Sequence, residues 1–181
     1  IFLSLLIICT SFCVPAISSS AATYEPDRKI YAQAYLLINL DDDSFPVVAE
    51  KNSTEKLYPA SLTKIVTAIV VLNNVKDLQQ KTKMSQAAFD RLLGTGAQVA
   101  GIEVGEELTI EELLYLTMVY SACDACQVLA EFVAGSEEAF VQRMNEKAQA
   151  LGMADTVFKN CNGLDEEGHV TSAHDVALMS R

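Results

Sequence analysis

Ser61-Leu62-Thr63-Lys64-Ile65-Val66-Thr67-Ala68-Ile69-Val70-Val71-Leu72-Asn73-Asn74-Val75 is the stretch on which the fold turns. After Lys64, apolar residues fall on nearly every side of a 3.6-period helix. A helix that is apolar all round belongs at the centre of a domain. Pro59 marks its start region. Ser61 opens this helix, and Lys64 lies one turn on, on the same face.

The flanking segments build a domain around that helix. Ile30-Tyr31-Ala32-Gln33-Ala34-Tyr35-Leu36-Leu37-Ile38-Asn39-Leu40 reads as a strand, and Pro46-Val47-Val48-Ala49-Glu50 as its return. Asp41-Asp42-Asp43-Ser44 between them is a solvated hairpin tip, since the remaining ligands of a calcium loop do not follow. Downstream, residues 81–88 predict a short strand and turn. Gly94, Gly96, Gly101 and Gly105 punctuate a loop that lacks the pattern of a phosphate-binding turn. Thr109-Ile110-Glu111-Glu112 is a capping box opening a helix through Met118. A second helix is expected over 122–133, stopped by Gly135. Ser136 caps a third over 137–151, with Gly152 at its end. Thr156-Val157-Phe158 reads as a short strand, Asn162-Gly163-Leu164-Asp165 as a turn, and Thr171 as the cap of a last helix. A strand pair followed by many helices predicts one α+β or α/β lobe.

Composition narrows the function. The 181 residues carry 13 Lys+Arg against 24 Asp+Glu, a formal net charge of −11. Nucleic acid is excluded as the main partner, because backbone binding needs a basic face. Half the residues are hydrophobic, with 4 Pro and 8 Gly, which argues for a packed core rather than disorder. Residues 1–22 bear no charge: an apolar run from Ile1 is followed by Ser18-Ser19-Ser20-Ala21-Ala22. This pattern predicts a secretory signal peptide without its basic n-region, cleaved after Ala22. Pro15 and the shortness of the run disfavour a membrane span. Export leaves Cys123, Cys126 and Cys161 in the mature chain. One Cys-x-x-Cys with no second pair, and His169 and His174 off ligand spacing, make no zinc site. Cys123 and Cys126 are read as small buried helix residues, with a redox pair as the weaker alternative. No metal or cofactor is expected.

Ser61-x-x-Lys64 carries the candidate chemistry. The spacing alone is weak evidence: 13 Ser and 9 Lys bring such pairs within chance, and Ser53-x-x-Lys56 is a second one. Context separates them, since Ser53 sits in a polar loop and Ser61 opens the buried helix. Burial disfavours the charged form of a lysine and can lower its pKa by several units. A neutral amine within reach can take a serine hydroxyl proton. The helix N-terminus also favours negative charge developing near Ser61. On this motif alone, Ser61 as an ordinary cap and Lys64 snorkelling outward remains the favoured reading.

Further residues reverse that preference. Tyr58-Pro59-Ala60-Ser61-Leu62-Thr63-Lys64 resembles the nucleophile segment of the penicillin-binding serine DD-peptidases, whose motifs are S-x-x-K, a Ser-x-Asn type and K-T-G. Ser121-Ala122-Cys123-Asp124-Ala125 stands where the second motif belongs. The resemblance continues through Phe140-Val141-Gln142-Arg143-Met144-Asn145, Leu151-Gly152-Met153 and Asn162-Gly163-Leu164-Asp165 to Ser172-Ala173-His174-Asp175. Over residues 32–181 the chain is similar to the D-alanyl-D-alanine carboxypeptidases, the low-molecular-mass penicillin-binding proteins. The resemblance implies a β-lactamase/DD-peptidase-like fold, with 23–181 forming a partial catalytic domain that stops before the C-terminal sheet strands. It implies Ser61 as acylated nucleophile, Lys64 as general base, Ser121 as proton relay to the leaving amine, and the Ser61 N–H as one oxyanion donor. The substrate would be a peptidoglycan stem peptide ending in D-Ala-D-Ala, with β-lactams as inhibitors. The location would be the bacterial envelope, in the periplasm or on the outer face of the cytoplasmic membrane.

Two departures qualify the resemblance. Cys123 stands at the substrate-binding position where the family has Asn, and a thiol is a weaker hydrogen-bonding group than an amide. No Lys-Thr-Gly or Lys-Ser-Gly occurs, and Lys81-Thr82-Lys83 lies in the wrong order. The third motif is therefore expected beyond Arg181, as is any segment attaching the protein peripherally to the membrane. Residues 1–181 alone are expected not to hydrolyse D-Ala-D-Ala. A class A β-lactamase is the second enzyme reading, weakened because no Glu-x-x-Leu-Asn pattern appears around 156–162. A non-catalytic relative that binds cell-wall peptide is the third, supported by Cys123.

Overall fold

A computed structural model describes residues 29–40 and 46–181. The expected signal segment, with Cys9 and Cys13, and the acidic hairpin tip lie outside the described residues. The described chain forms β1 (Tyr35–Ile38), β2 (Val47–Lys51), a 3-10 turn (Ala60–Leu62), α1 (Thr63–Asn74), β3 (Lys81–Lys83) and α2 (Gln86–Asp90). There follow β4 (Glu107–Thr109), α3 (Ile110–Val119), α4 (Cys123–Ala134), α5 (Glu137–Ala150) and α6 (Ala173–Ser180). β1 and β2 pair antiparallel, Leu36 opposite Glu50, with a register shift between Leu37 and Ile38. β3 pairs antiparallel with β4, Thr82 opposite Leu108.

Helix α1 lies at the centre, packed against α3, α4 and α5. Its Val66, Val70 and Val71 are buried with Leu113, Leu129, Phe140 and Met144 from those three helices. Each such side chain contributes about 1.5–3 kcal/mol by leaving water. The helix is not enclosed on every side, since Leu72 is 53% exposed at its far end. Helix α4 is buried from Cys123 through Ala130, so the second-motif region roots directly in the core.

The end signals act largely as read. Thr109 and Glu112 form the reciprocal capping box of α3. Gly135 takes the left-handed conformation that stops α4. Ser136 caps α5 by accepting from the Ala139 N–H. Several details differ. The strand expected over 30–40 is formed only by Tyr35–Ile38, and Ser61 lies in the 3-10 turn ahead of α1, which itself begins at Thr63. The turn expected after β3 is the short helix α2, capped by Ser85. The cap of α6 is Ser172 rather than Thr171, because Thr171 is held in an antiparallel bridge to Leu57. The strand expected at 156–158 is a single bridge between Val157 and Val170. It does not lengthen, because the N–H groups that would pair next are taken elsewhere, Asp155 N–H by Asp175 Oδ2 at 2.8 Å and Lys159 N–H by His169 Nδ1 at 3.2 Å.

Cys123, Cys126 and Cys161 are buried and free. Among the described residues no helix is long and apolar enough to cross a membrane, and no group of His, Cys, Asp and Glu could hold a metal ion.

Candidate active site

The chain enters the site through strain. Ala60 has φ +47, and the 3-10 turn it begins presents Ser61 exposed at the mouth of α1. One turn inward, Lys64 is 3% exposed. Its Nζ donates to the Asn162 carbonyl at 2.5 Å, and lies 3.3 Å from Ser61 Oγ and 3.6 Å from Cys123 Sγ. Nζ therefore faces a carbonyl oxygen, a hydroxyl and a thiol sulfur at once, with Ser61 Oγ among its three neighbours. The second Ser-x-x-Lys has no such surroundings: Ser53 bonds Glu50 at 2.5 Å, and Lys56 reaches Asp155 at 3.9 Å on the surface.

Ser121 comes from the opposite side. It links α3 to α4 with φ +63, a conformation uncommon outside glycine, and its Oγ donates to Ser61 Oγ at 2.9 Å. The structure thus brings together Ser61, Lys64, Ser121 and Cys123. Burial pushes the Cys123 thiol up, with Lys64 opposing. Burial pushes Cys126 up to about 12. Neither forms the thiolate that would compete with Ser61 as nucleophile.

Several supporting groups escape the sequence reading. The loop 160–164 is bracketed onto α1 and the start of α5. The Thr67 hydroxyl donates to the Cys161 carbonyl at 2.7 Å, the Cys161 N–H donates to Glu137 at 3.1 Å, and the Asn162 carbonyl takes Lys64. Gly163, at φ +86, lies flat against the peptide between Ala60 and Ser61; a Cβ there would sit 2.0 Å from the Ala60 carbonyl oxygen. The Asn-Gly pair signals a turn, but not the peptide against which that turn rests. His169, set aside as a metal ligand, is buried beneath Thr63. The Lys159 N–H donates to its Nδ1 at 3.2 Å, so its Nε2 carries the proton and donates to Thr63 Oγ1 at 2.8 Å. Burial lowers its pKa against the opposing pull of Glu166 and Asp165, which keeps the ring neutral and the bond to α1 intact. His174 and Asp175 lie in the first turn of α6, as read. The buried Asp175 carboxylate accepts from the Asp155 N–H and the Thr156 hydroxyl, both at 2.8 Å, and so ties α6 to the 155–156 segment.

Chemically, the arrangement is a hydroxyl with a basic nitrogen on one side and a second hydroxyl on the other. Such a set suits acyl transfer: the nitrogen accepts the nucleophile's proton, and the second hydroxyl passes a proton to whatever leaves. The chain's relatives have names that agree with this. The D-alanyl-D-alanine carboxypeptidase family profile matches residues 19–181. The D-alanyl-D-alanine carboxypeptidase DacF of Bacillus subtilis is 38% identical over 149 residues, covering 82% of this chain and 38% of that relative. DacC of Escherichia coli is 37% identical over 157 residues, covering 83% of this chain and 38% of its own length. Among solved structures, DacD from Francisella tularensis superposes with a TM-score of 0.77 at 31% identity, over 86% of this chain and 37% of that one. Penicillin binding protein 5 from Haemophilus influenzae gives 0.80 at 27% identity, over 87% and 46%. The chain therefore spans less than half the length of these relatives.

Proposed function

Because the chain belongs to the D-alanyl-D-alanine carboxypeptidase family, we propose that it supplies the nucleophile half of a serine DD-peptidase acting on peptidoglycan stem peptides. Ser61 Oγ attacks the carbonyl of the penultimate D-Ala, and its proton passes to Lys64 Nζ. Ser121 delivers a proton to the amine of the terminal D-Ala as the C–N bond breaks and that residue departs. Water then hydrolyses the ester on Ser61. A β-lactam enters the same way, but its opened ring keeps the leaving amine tethered, so the ester persists. The Ser61 N–H is one oxyanion donor. The observation that carries this reading is the convergence on Ser61 Oγ of Lys64 Nζ at 3.3 Å and Ser121 Oγ at 2.9 Å.

The same reading places the mature protein in the bacterial envelope after export through residues 1–22, with peripheral membrane attachment through a C-terminal segment. Fluorescent penicillin applied to the full-length protein tests the function. Stable label mapped to Ser61 and absent from Ser61→Ala is expected. Rapid release of opened penicillin would indicate a β-lactamase, and no label a peptide binder.

Cys123 sets the efficiency of the first step. Its thiol reaches Lys64 only at 3.6 Å, whereas an amide oxygen is a stronger acceptor. Cys123→Asn is expected to raise the rate of penicillin acylation severalfold, roughly one hydrogen bond's worth. A stopped-flow acylation rate equal to or below that of the parent would overturn this expectation.

A further inference from the structure

Ser121 occupies a backbone conformation that needs holding. Left-handed φ costs a non-glycine residue about 1–2 kcal/mol, and Ser121 sits at φ +63 between two helix ends. Tyr120, at the C-terminus of α3, has a carbonyl that the helix leaves without an internal donor; Cys123, the first residue of α4, has an N–H in the same position. One residue serves both. The Gln98 backbone carbonyl accepts from the Cys123 N–H at 2.8 Å, and the Gln98 side-chain amide donates to the Tyr120 carbonyl. The Gln98 loop is fixed in turn by Asp124, 3% exposed. The Asp124 carboxylate accepts from the N–H groups of Ala100, Gly101 and Ile102 at 3.0, 2.9 and 3.0 Å, and from Ala125 at 3.0 Å.

We propose that Gln98, seated by the Asp124 carboxylate, is a positioning residue for the Ser121 hydroxyl. By gripping the backbone on both sides of Ser121, it holds the left-handed turn that aims Oγ at Ser61. Neither Gln98 nor Asp124 touches the reacting atoms; both act through Ser121. The inference rests on the proposed role of Ser121 in protonating the leaving amine.

That role supplies a discriminating measurement. A peptide ending in D-Ala-D-Ala expels an amine that must gain a proton. A depsipeptide thioester expels a thiolate that needs none, so its hydrolysis is insensitive to Ser121. In the full-length protein, Gln98→Ala and Gln98→Glu are expected to lower kcat/KM for the peptide about tenfold, the scale of one lost hydrogen bond, and to leave thioester hydrolysis unchanged. Both variants change an exposed side chain. Asp124→Asn should show the same selective loss; if it fails to fold, the Gln98 variants still decide. Ser121→Ala is the reference and should show the largest split between the two substrates. A split in Ser121→Ala with none in the Gln98 variants, or equal loss on both substrates in those variants, overturns the positioning role while leaving the proposed function intact. No split in Ser121→Ala overturns the relay role of Ser121, and with it this inference.

Discussion

Replacing Lys64 by Met is expected to slow acylation of Ser61 by about 100- to 10,000-fold, the range for loss of a positioned general base, while the protein stays folded. Among the described residues no neighbour can substitute. Ser121 presents a hydroxyl, a poor base. His169 is committed to Thr63 and the Lys159 N–H. Cys123 is held as a thiol by its burial. The stability effect is small because two changes oppose. Met is close to Lys in length and removes an amine that is costly to bury in charged form. It also leaves the Asn162 carbonyl without its donor, a loss of about 1–3 kcal/mol. The measurement is the rate of labelled-penicillin attachment to Ser61, run beside a thermal unfolding scan. Acylation within tenfold of the parent in a folded Lys64→Met protein would remove Lys64 from its proposed role.

Gly163→Ala is expected to cost both rate and stability although Gly163 offers no chemical group. The new methyl would stand 2.0 Å from the Ala60 carbonyl oxygen and 2.5 Å from its carbon, both backbone atoms that cannot swing aside. Either the 3-10 turn carrying Ser61 moves, or the 160–164 loop does and takes the Asn162 carbonyl away from Lys64. A misplacement of about 1 Å at a reacting group costs on the order of 100-fold in rate. Left-handed strain of about 1–2 kcal/mol adds to overpacking of about 1–3 kcal/mol. Urea unfolding should therefore show a loss of about 2–5 kcal/mol, alongside the slowed acylation. An unchanged midpoint with unchanged acylation would mean that the close contact at Ala60 does not exist in solution.

These two residues mark how far the chain could be read without its fold. Lys64 is readable because the segment from Tyr58 to Lys64 resembles the family's nucleophile segment; the spacing and the apolar helix by themselves favour a lysine that snorkels outward. Ser121 was readable because it breaks two helical runs at the distance the family resemblance requires. The capping box at Thr109 and the stop at Gly135 announce themselves through residue type. The role of Asn162 was not readable, because the group that holds Lys64 is a backbone carbonyl, which every residue possesses. Gly163 advertises a turn, but not which peptide lies against it. Thr171 and Ser172 are equally good caps by side chain, and the choice is made by the bridge from Thr171 to distant Leu57. Gln98 carries no motif at all; its importance comes from facing two helix ends at once. In each case the missing information is a tertiary neighbour.

The bracket around α1 also governs when the site comes into existence. Ser61 meets Ser121 across 60 positions of chain, Lys64 meets Asn162 across 98, and Thr63 meets His169 across 106. Closing loops of that span is entropically costly and comes late relative to forming single helices. Helix α1 can wind early with its serine and lysine already on one face, yet the lysine has no fixed aim until the last of these segments has docked. Under the proposed function, a nascent or half-folded chain would carry Ser61 without its aimed lysine, and would become competent only as folding ends.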